Sequence, residues 1–243
     1  MEFQQEEMRI LINKKKLKWD SEFFHLNIAK IEANSIAFDI NKEIEDLCIE
    51  NLDLVYIETP FSKENKVPNS FGQLVDIKCI YEILIDNHVP YIQSEYVTIC
   101  KEYSEELYSL ALQAGHKSRY KTDTHFAKGE FERFYKTWVQ NSLNGEIADC
   151  VFVYQGKDKI KGFITLKIMD DSCNIGLFAV DSSTRGKGIG HTLMDAAVNF
   201  ALRNGKQIIR VATQLDNLGA CRFYEKYGFK LISTTSIFHK WIK

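Results

Sequence analysis

Asn174-Ile-Gly-Leu-Phe-Ala-Val-Asp-Ser-Ser-Thr-Arg-Gly-Lys-Gly-Ile-Gly-His191 decides how this chain is read. Ile175 to Val180 is a short apolar run closed by polar residues, the pattern of a buried strand ending near Asp181. A helix follows at once: Ile189, Leu193, Met194, Ala197, Val198, Ala201 and Leu202 recur at helical spacing, and Asn204-Gly205 marks the exit. Between strand and helix, Arg185-Gly186-Lys187-Gly188-Ile189-Gly190 crowds glycines into a helix start. Lacking a Cβ, glycine lets main-chain N–H groups approach a bulky anion, and the unpaired amides and positive dipole end of the helix favour phosphate. The turn is expected to hold a phosphate-bearing ligand.

Two familiar glycine loops do not fit. A Walker loop needs Gly-Lys-Ser/Thr after its second glycine, and a dinucleotide fold needs Gly-x-Gly-x-x-Gly with an acidic ribose ligand further on. Downstream lies a second apolar run, Gln207-Ile-Ile-Arg-Val-Ala-Thr213, then Asn217-Leu-Gly-Ala-Cys-Arg-Phe-Tyr-Glu-Lys-Tyr-Gly-Phe229. Asn217 suits a helix N-cap and Gly228 a left-handed C-terminal position.

The Arg185-x-x-Gly188-x-Gly190 spacing resembles the pyrophosphate loop of the GNAT (Gcn5-related) N-acetyltransferases, which hold acetyl-CoA. Asn217, Ala220, Phe223, Tyr224, Tyr227, Gly228 and Phe229 match that family's second signature in order. The resemblance implies an α/β (α+β) GNAT fold with a mixed, mainly antiparallel sheet over residues 101–243, preceded by a smaller α/β domain over 1–100. It implies that Phe178, Ala179 and Val180 present main-chain groups to pantetheine where their strand splays from its neighbour. Arg185, Gly186, Lys187, Gly188, Ile189, Gly190 and His191, the last through its backbone, would take the pyrophosphate, with Asn217 a further cofactor contact. Tyr224 is one of eleven tyrosines, and the signature match gives it the role of general acid toward the leaving thiolate. An ordinary phenol keeps its proton at neutral pH. Some relatives carry a Glu on the strand before the loop; Asn174 to Val180 has none, so ordered water is the expected proton acceptor.

Trp19-Asp-Ser-Glu-Phe-Phe24 with Asn27-Ile-Ala-Lys-Ile31, Phe71-Gly-Gln-Leu-Val-Asp-Ile-Lys78 and Phe134-Tyr-Lys-Thr-Trp-Val-Gln-Asn-Ser-Leu143 look like the TDP-fucosamine acetyltransferase subfamily. That similarity implies a nucleotide-activated 4-amino-4,6-dideoxy sugar as acceptor, destined for a surface polysaccharide. The alternatives are another amine acceptor (a different amino sugar, an antibiotic, a polyamine or a protein N-terminus) and a non-catalytic acyl-CoA-binding module.

The rest of the chain is consistent with an ordinary globular protein of 243 residues, 45% hydrophobic and 26% charged, with a net charge of −2 that argues against a nucleic-acid footprint. Cys48, Cys79, Cys100, Cys150, Cys173 and Cys221 are scattered without metal spacing, so no metal is expected and the thiols read as reduced core residues of a cytoplasmic protein. Met1 to Glu7 lacks the basic-then-apolar order of a signal peptide, and no membrane span is expected. Residues 39–52 and 104–114 read as helices, as do 131–143; 54–57, 73–85, 150–154 and 160–168 read as strands. Ser118 to Phe126 reads as a polar, irregular loop in which Arg119 is able to pair with a nucleotide phosphate and His125 is the histidine of interest. His25, His88, His116 and His239 show no partner spacing. Phe229 to Ile242 reads as an alternating closing strand, compatible with a homodimer.

Overall fold

The computed structural model describes residues 10–61, 68–86 and 94–242; His88 and Met1 to Glu7 lie outside them. The chain divides into two units, one comprising Met1–Lys78 with Thr234–Lys243 and the other Cys79–Ser233.

In the first unit, β1 (Ile12–Lys16) runs antiparallel to β2 (Ile28–Ala33), which pairs in parallel with β3 (Leu54–Pro60). Thr235 to Trp241 of the last strand, β10 (Lys230–Trp241), completes this set antiparallel to β3. Helix α1 (Lys18–Phe24) joins β1 to β2, and α2 (Ile40–Glu45) lies between β2 and β3. Asp39 starts α2 by accepting the N–H groups of Asn41 and Lys42. The helix is shorter than the 39–52 periodicity predicts because Cys48 and Asn51 take left-handed φ values of 50° and 52°, which end any helical run. Ile31, Ile40, Val55, Ile57, Phe71 and Phe238 form the core. Gly72, at φ +89°, lets its backbone approach β10 so closely that a Cβ would lie 2.3 Å from the His239 carbonyl oxygen.

The second unit is built on strands in the order β4 (Gln73–Leu84, from Cys79 on), β9 (Ile208–Gln214), β8 (Cys173–Val180), β7 (Ile160–Ile168), β6 (Cys150–Gln155) and β5 (Val97–Ile99). β5 to β8 pair antiparallel, and β8 and β9 pair in parallel across the connection made by α6 (Ile189–Arg203). Helix α6 and α7 (Leu218–Tyr227) bury Leu193, Met194, Ala197, Val198 and Tyr224 on one face, against Ile164, Leu166 and Ile209. On the other face α3 (Glu105–Ala114) and α5 (Glu130–Leu143) bury Leu107, Leu110, Phe131, Tyr135 and Val139 against Val151, Phe163 and Leu177. The result is a mixed α/β architecture with helices on both faces of a mainly antiparallel sheet.

Two further local expectations are corrected. The stretch 118–126 is not irregular throughout: α4 (Arg119–Thr122) forms there, capped by Ser118, whose side chain accepts the Tyr120 N–H. Tyr120 and Phe126 are buried and pack edge to face, so the segment is anchored by apolar contacts that its polar composition masks. β10 does not alternate at its end, because Ser236 to His239 are all buried. Strands covered on both faces lose the period of two.

Candidate active site

The site begins with an irregularity in β8. Ile164 pairs with Phe178 but Leu166 pairs with Ile175, so β8 carries one residue more than β7 and Gly176 and Leu177 together stand opposite Thr165. The Thr165 hydroxyl replaces the missing carbonyl, accepting the Leu177 N–H at 2.7 Å. Gly176 makes room for it: a Cβ there would lie 2.8 Å from the Thr165 Oγ1. The bulge shifts the phase of the strand. Ile175 faces the α6 side, Leu177 and Ala179 face the α3 side, and Phe178 and Val180 return to the α6 side.

The main chain shifts with it. Leu177 sends its N–H toward β7, and Asp181 does the same to the Lys161 carbonyl at 2.8 Å. By strand alternation Phe178 and Val180 direct their main-chain groups to the opposite edge, toward β9. There the ladder has ended: β8 and β9 pair at Cys173–Ile209, Asn174–Arg210 and Ile175–Val211, while both strands continue. The strands part to leave a fork.

At the mouth of the fork, Asp181 starts a tight turn over Ser182–Thr184 by accepting the Ser183 N–H at 2.9 Å. Arg185 Nε donates to the Val180 carbonyl at 3.2 Å, folding the loop back on the strand end. Gly186 and Gly188 both adopt left-handed φ values, +78° and +83°, with open space where a Cβ would stand. Gly188 occupies the N-cap position of α6 and no side chain caps the helix. A run of first-turn amides with no side-chain acceptor, beneath glycines open to solvent, fits an anionic diphosphate. Gly190 serves a different purpose, since a Cβ there would approach the Phe223 ring at 3.0 Å.

The fork and the loop open into one cavity of about 540 Å³. It is lined by Phe178, Ala179, Val180, Arg185, Gly186, Gly188, Ile189, Gly190, His191, Asn217 and Tyr224, which brings together the sequence-predicted site residues apart from Lys187. Sequence reasoning missed Gln113 and Ala114 in the last turn of α3, His116 just past it, Thr184 and Gly219; Ala220 and Phe223, named in the second signature, line the cavity as well. Gln113 is fixed there by accepting the Ser182 N–H at 3.1 Å, and the His116 Nδ1 lies 3.1 Å from the Gln113 carbonyl oxygen, to which it donates. The pairing of Lys117 with Asp216 at 3.0 Å links residues adjacent to His116 and Asn217.

Tyr224 stands in this cavity at 4% exposure, with its ring 6.4 Å from Phe178 and 5.7 Å from Phe223. Burial, and to a lesser degree Cys221, raises its phenol well above the ordinary value, so the hydroxyl is a proton donor throughout the neutral range. Tyr227 latches α7 onto α6 through a 2.6 Å hydrogen bond to Asp195. Asn217 holds the N-cap position of α7, but its side chain does not cap the helix; at ψ 63° it points back to donate to Thr213 Oγ1 at 3.4 Å. Among the described residues lining the cavity there is no Asp or Glu. Arg119 and His125 do not line it; His125 is held by the buried Asp123 carboxylate at 2.8 Å.

Comparison with known proteins follows the same lines. Residues 105–229 match the Acetyltransferase (GNAT) family. The chain is 28% identical to the spore coat polysaccharide biosynthesis protein SpsD of Bacillus subtilis, over 57% of this chain and 47% of that protein. It is 32% identical to the dTDP-fucosamine acetyltransferase of Escherichia coli O6:H1, over 53% of this chain and 55% of that protein. The chain thus spans about half the length of the curated relatives it matches. A GCN5-related N-acetyltransferase from Sphaerobacter thermophilus shares the fold with a TM-score of 0.59 at 14% identity, over 96% of this chain and 77% of that one. Bulged strand, open fork, glycine turn and tyrosine helix are the parts that the matched region contains, and the chain belongs to the GNAT acetyltransferase family.

Proposed function

We propose that this protein transfers an acetyl group from acetyl-CoA to the 4-amino group of a nucleotide-activated 4-amino-4,6-dideoxy sugar, as a step toward a surface polysaccharide. The observation that carries the transferase reading is that one cavity gathers the uncapped α6 amides, the unpaired edge of β8 and the Tyr224 hydroxyl. The acceptor class rests on the names of the two relatives, an amino-sugar acetyltransferase and a polysaccharide biosynthesis protein. Because acetyl-CoA is an intracellular metabolite, we place the reaction in the cytoplasm.

The chemistry follows from the residues. The α6 amides and Arg185 hold the diphosphate. The main-chain groups of Phe178 and the N–H of Val180, whose carbonyl is taken by Arg185, align the pantetheine arm, and one of these N–H groups polarises the thioester carbonyl. The neutral acceptor amine attacks that carbon, a C–N bond forms and the C–S bond breaks. The Tyr224 hydroxyl donates its proton to the departing sulfur, and the amine proton leaves through water, which returns one to the Tyr224 phenolate, consistent with a cavity lined by no carboxylate.

The test is a panel of TDP and UDP amino sugars assayed for CoA release with acetyl-CoA. Turnover confined to 4-amino-4,6-dideoxy sugars is the expected result. Turnover with polyamines or peptides alone would overturn the acceptor, and tight CoA binding with no turnover on any amine would overturn the transferase.

A further inference from the structure

Behind Tyr224 lies a polar contact that the reaction above leaves unused. Tyr81, in β4, is 2% exposed, and its hydroxyl donates to the Glu225 carboxylate at 3.0 Å. Glu225 directly follows Tyr224 on α7. The Tyr81 ring itself packs on Tyr224, with centroids 5.7 Å apart. One side chain from the sheet thus touches two residues of α7, Glu225 and Tyr224, of which only Tyr224 lines the cavity. A ten-residue helix without a side-chain N-cap depends on such contacts for its rotation about its own axis. That rotation sets where the phenol of Tyr224 points.

We propose that Tyr81 is a positioning residue: by holding Glu225 and packing on Tyr224 it fixes the roll of α7 and with it the aim of the Tyr224 hydroxyl at the acyl sulfur. The inference rests on the assignment of Tyr224 as proton donor to sulfur. Burial of a tyrosine hydroxyl beside a carboxylate is otherwise unneeded for packing, since phenylalanine fills nearly the same volume. Misplacement of a reacting group by an ångström slows a reaction far more than the energy of the hydrogen bond that had held it would suggest.

The test compares CoA with desulfo-CoA by calorimetry in four proteins: the unaltered chain, Tyr81→Phe, Glu225→Gln and Tyr224→Phe. A hydroxyl aimed at sulfur makes CoA bind about three- to tenfold tighter than its desulfo analogue. Tyr224→Phe removes that preference, and Tyr81→Phe is expected to reduce it to the Tyr224→Phe level while desulfo-CoA affinity stays within about twofold. Glu225→Gln, which keeps the helix surface and weakens the acceptor, is expected to fall between. If Tyr81→Phe and Glu225→Gln both retain the full preference, the positioning role is wrong. If both analogues weaken equally in Tyr81→Phe, the residue merely supports the fold and the proposal also fails. Absence of any preference in the unaltered chain refutes the Tyr224 assignment itself, a result distinct from either.

Discussion

The Gln113 carboxamide oxygen accepts the Ser182 N–H at 3.1 Å, tying the last turn of α3 to the loop that leads into α6. Two walls of the cavity are thereby held in one register by a neutral hydrogen bond. Such a bond contributes about 0.5–1.5 kcal/mol net. Gln113→Ala is therefore expected to weaken acetyl-CoA binding by about two- to tenfold, with little change in thermal midpoint. Unchanged affinity by calorimetry would show that the loop holds its shape without the tie.

Gly188 is open above its α carbon, so a larger residue meets backbone strain rather than a protein clash. Holding a β-branched residue at φ +83° costs on the order of 1–3 kcal/mol, and the loop will relax away from the phosphate-holding shape to escape it. Gly188→Val should abolish acetyl-CoA binding, whereas the cores that α6 buries predict a protein that still folds. Retained affinity would remove this loop from the ligand site.

Tyr224→Phe keeps the ring and deletes the donor. General acid catalysis is worth roughly 10²–10⁴ in rate, so kcat should fall by at least about 100-fold with KM for acetyl-CoA nearly constant. An enzyme with unchanged kcat would end the assignment.

Alkaline stability supplies an independent check. Burial first, then Cys221, raises the Tyr224 phenol; burial, then Cys221 and Glu225, raises that of Tyr81. The folded chain keeps protons that the unfolded chain releases above about pH 10, so the unfolded state binds fewer protons there and stability falls as pH rises. Each phenol contributes a slope of up to about 1.4 kcal/mol per pH unit in that range and none at neutral pH. Urea unfolding between about pH 9 and 11 should show a shallower decline for Tyr224→Phe than for the unaltered chain. Equal slopes would mean that the phenol ionises as readily folded as unfolded.

In the first unit, Glu58 lies between Lys30, at 3.0 Å, and Lys78, at 3.1 Å. Burial works against its charge, yet Lys78 and Lys30 together lower its pKa below the ordinary value. Its contribution is present above the ordinary carboxylate range and is lost as pH falls through the lowered folded value. Glu58→Gln leaves two partly buried ammonium groups without their shared anion and should destabilise the chain by about 1–3 kcal/mol at pH 7. This effect should shrink at acid pH, below the ordinary glutamate value of about 4.3, as the native carboxylate is protonated through its lowered folded value. A destabilisation that is the same at both pH values would show that shape, not charge, sets the cost.

What could be read from sequence was what is local in sequence. The glycine turn, the stripe on α6 and the residues of α7 each lie within one short segment, so spacing alone announced them. Gln113 and His116 were invisible because nothing in their own neighbourhood marks them; only the packing of α3 on the sheet brings them to the cavity. The bulge escaped notice for a similar reason. Gly176 is one small residue in an apolar run, and its meaning depends on the Thr165 hydroxyl across the ladder. Tyr120 and Phe126 were hidden by polar neighbours, and the burial of Ser236 to His239 by a strand whose two faces are both covered.

The parting of β8 from β9 carries one more consequence. Unsatisfied main-chain donors on the rim of a sheet invite a foreign strand, a standing hazard of aggregation. Here they sit on β8, in a cleft within the sheet with β7 on one side and β9 on the other, rather than along an outer rim. The protein keeps its unpaired backbone in a narrow slot within the sheet, away from the rim where strands of other chains would add.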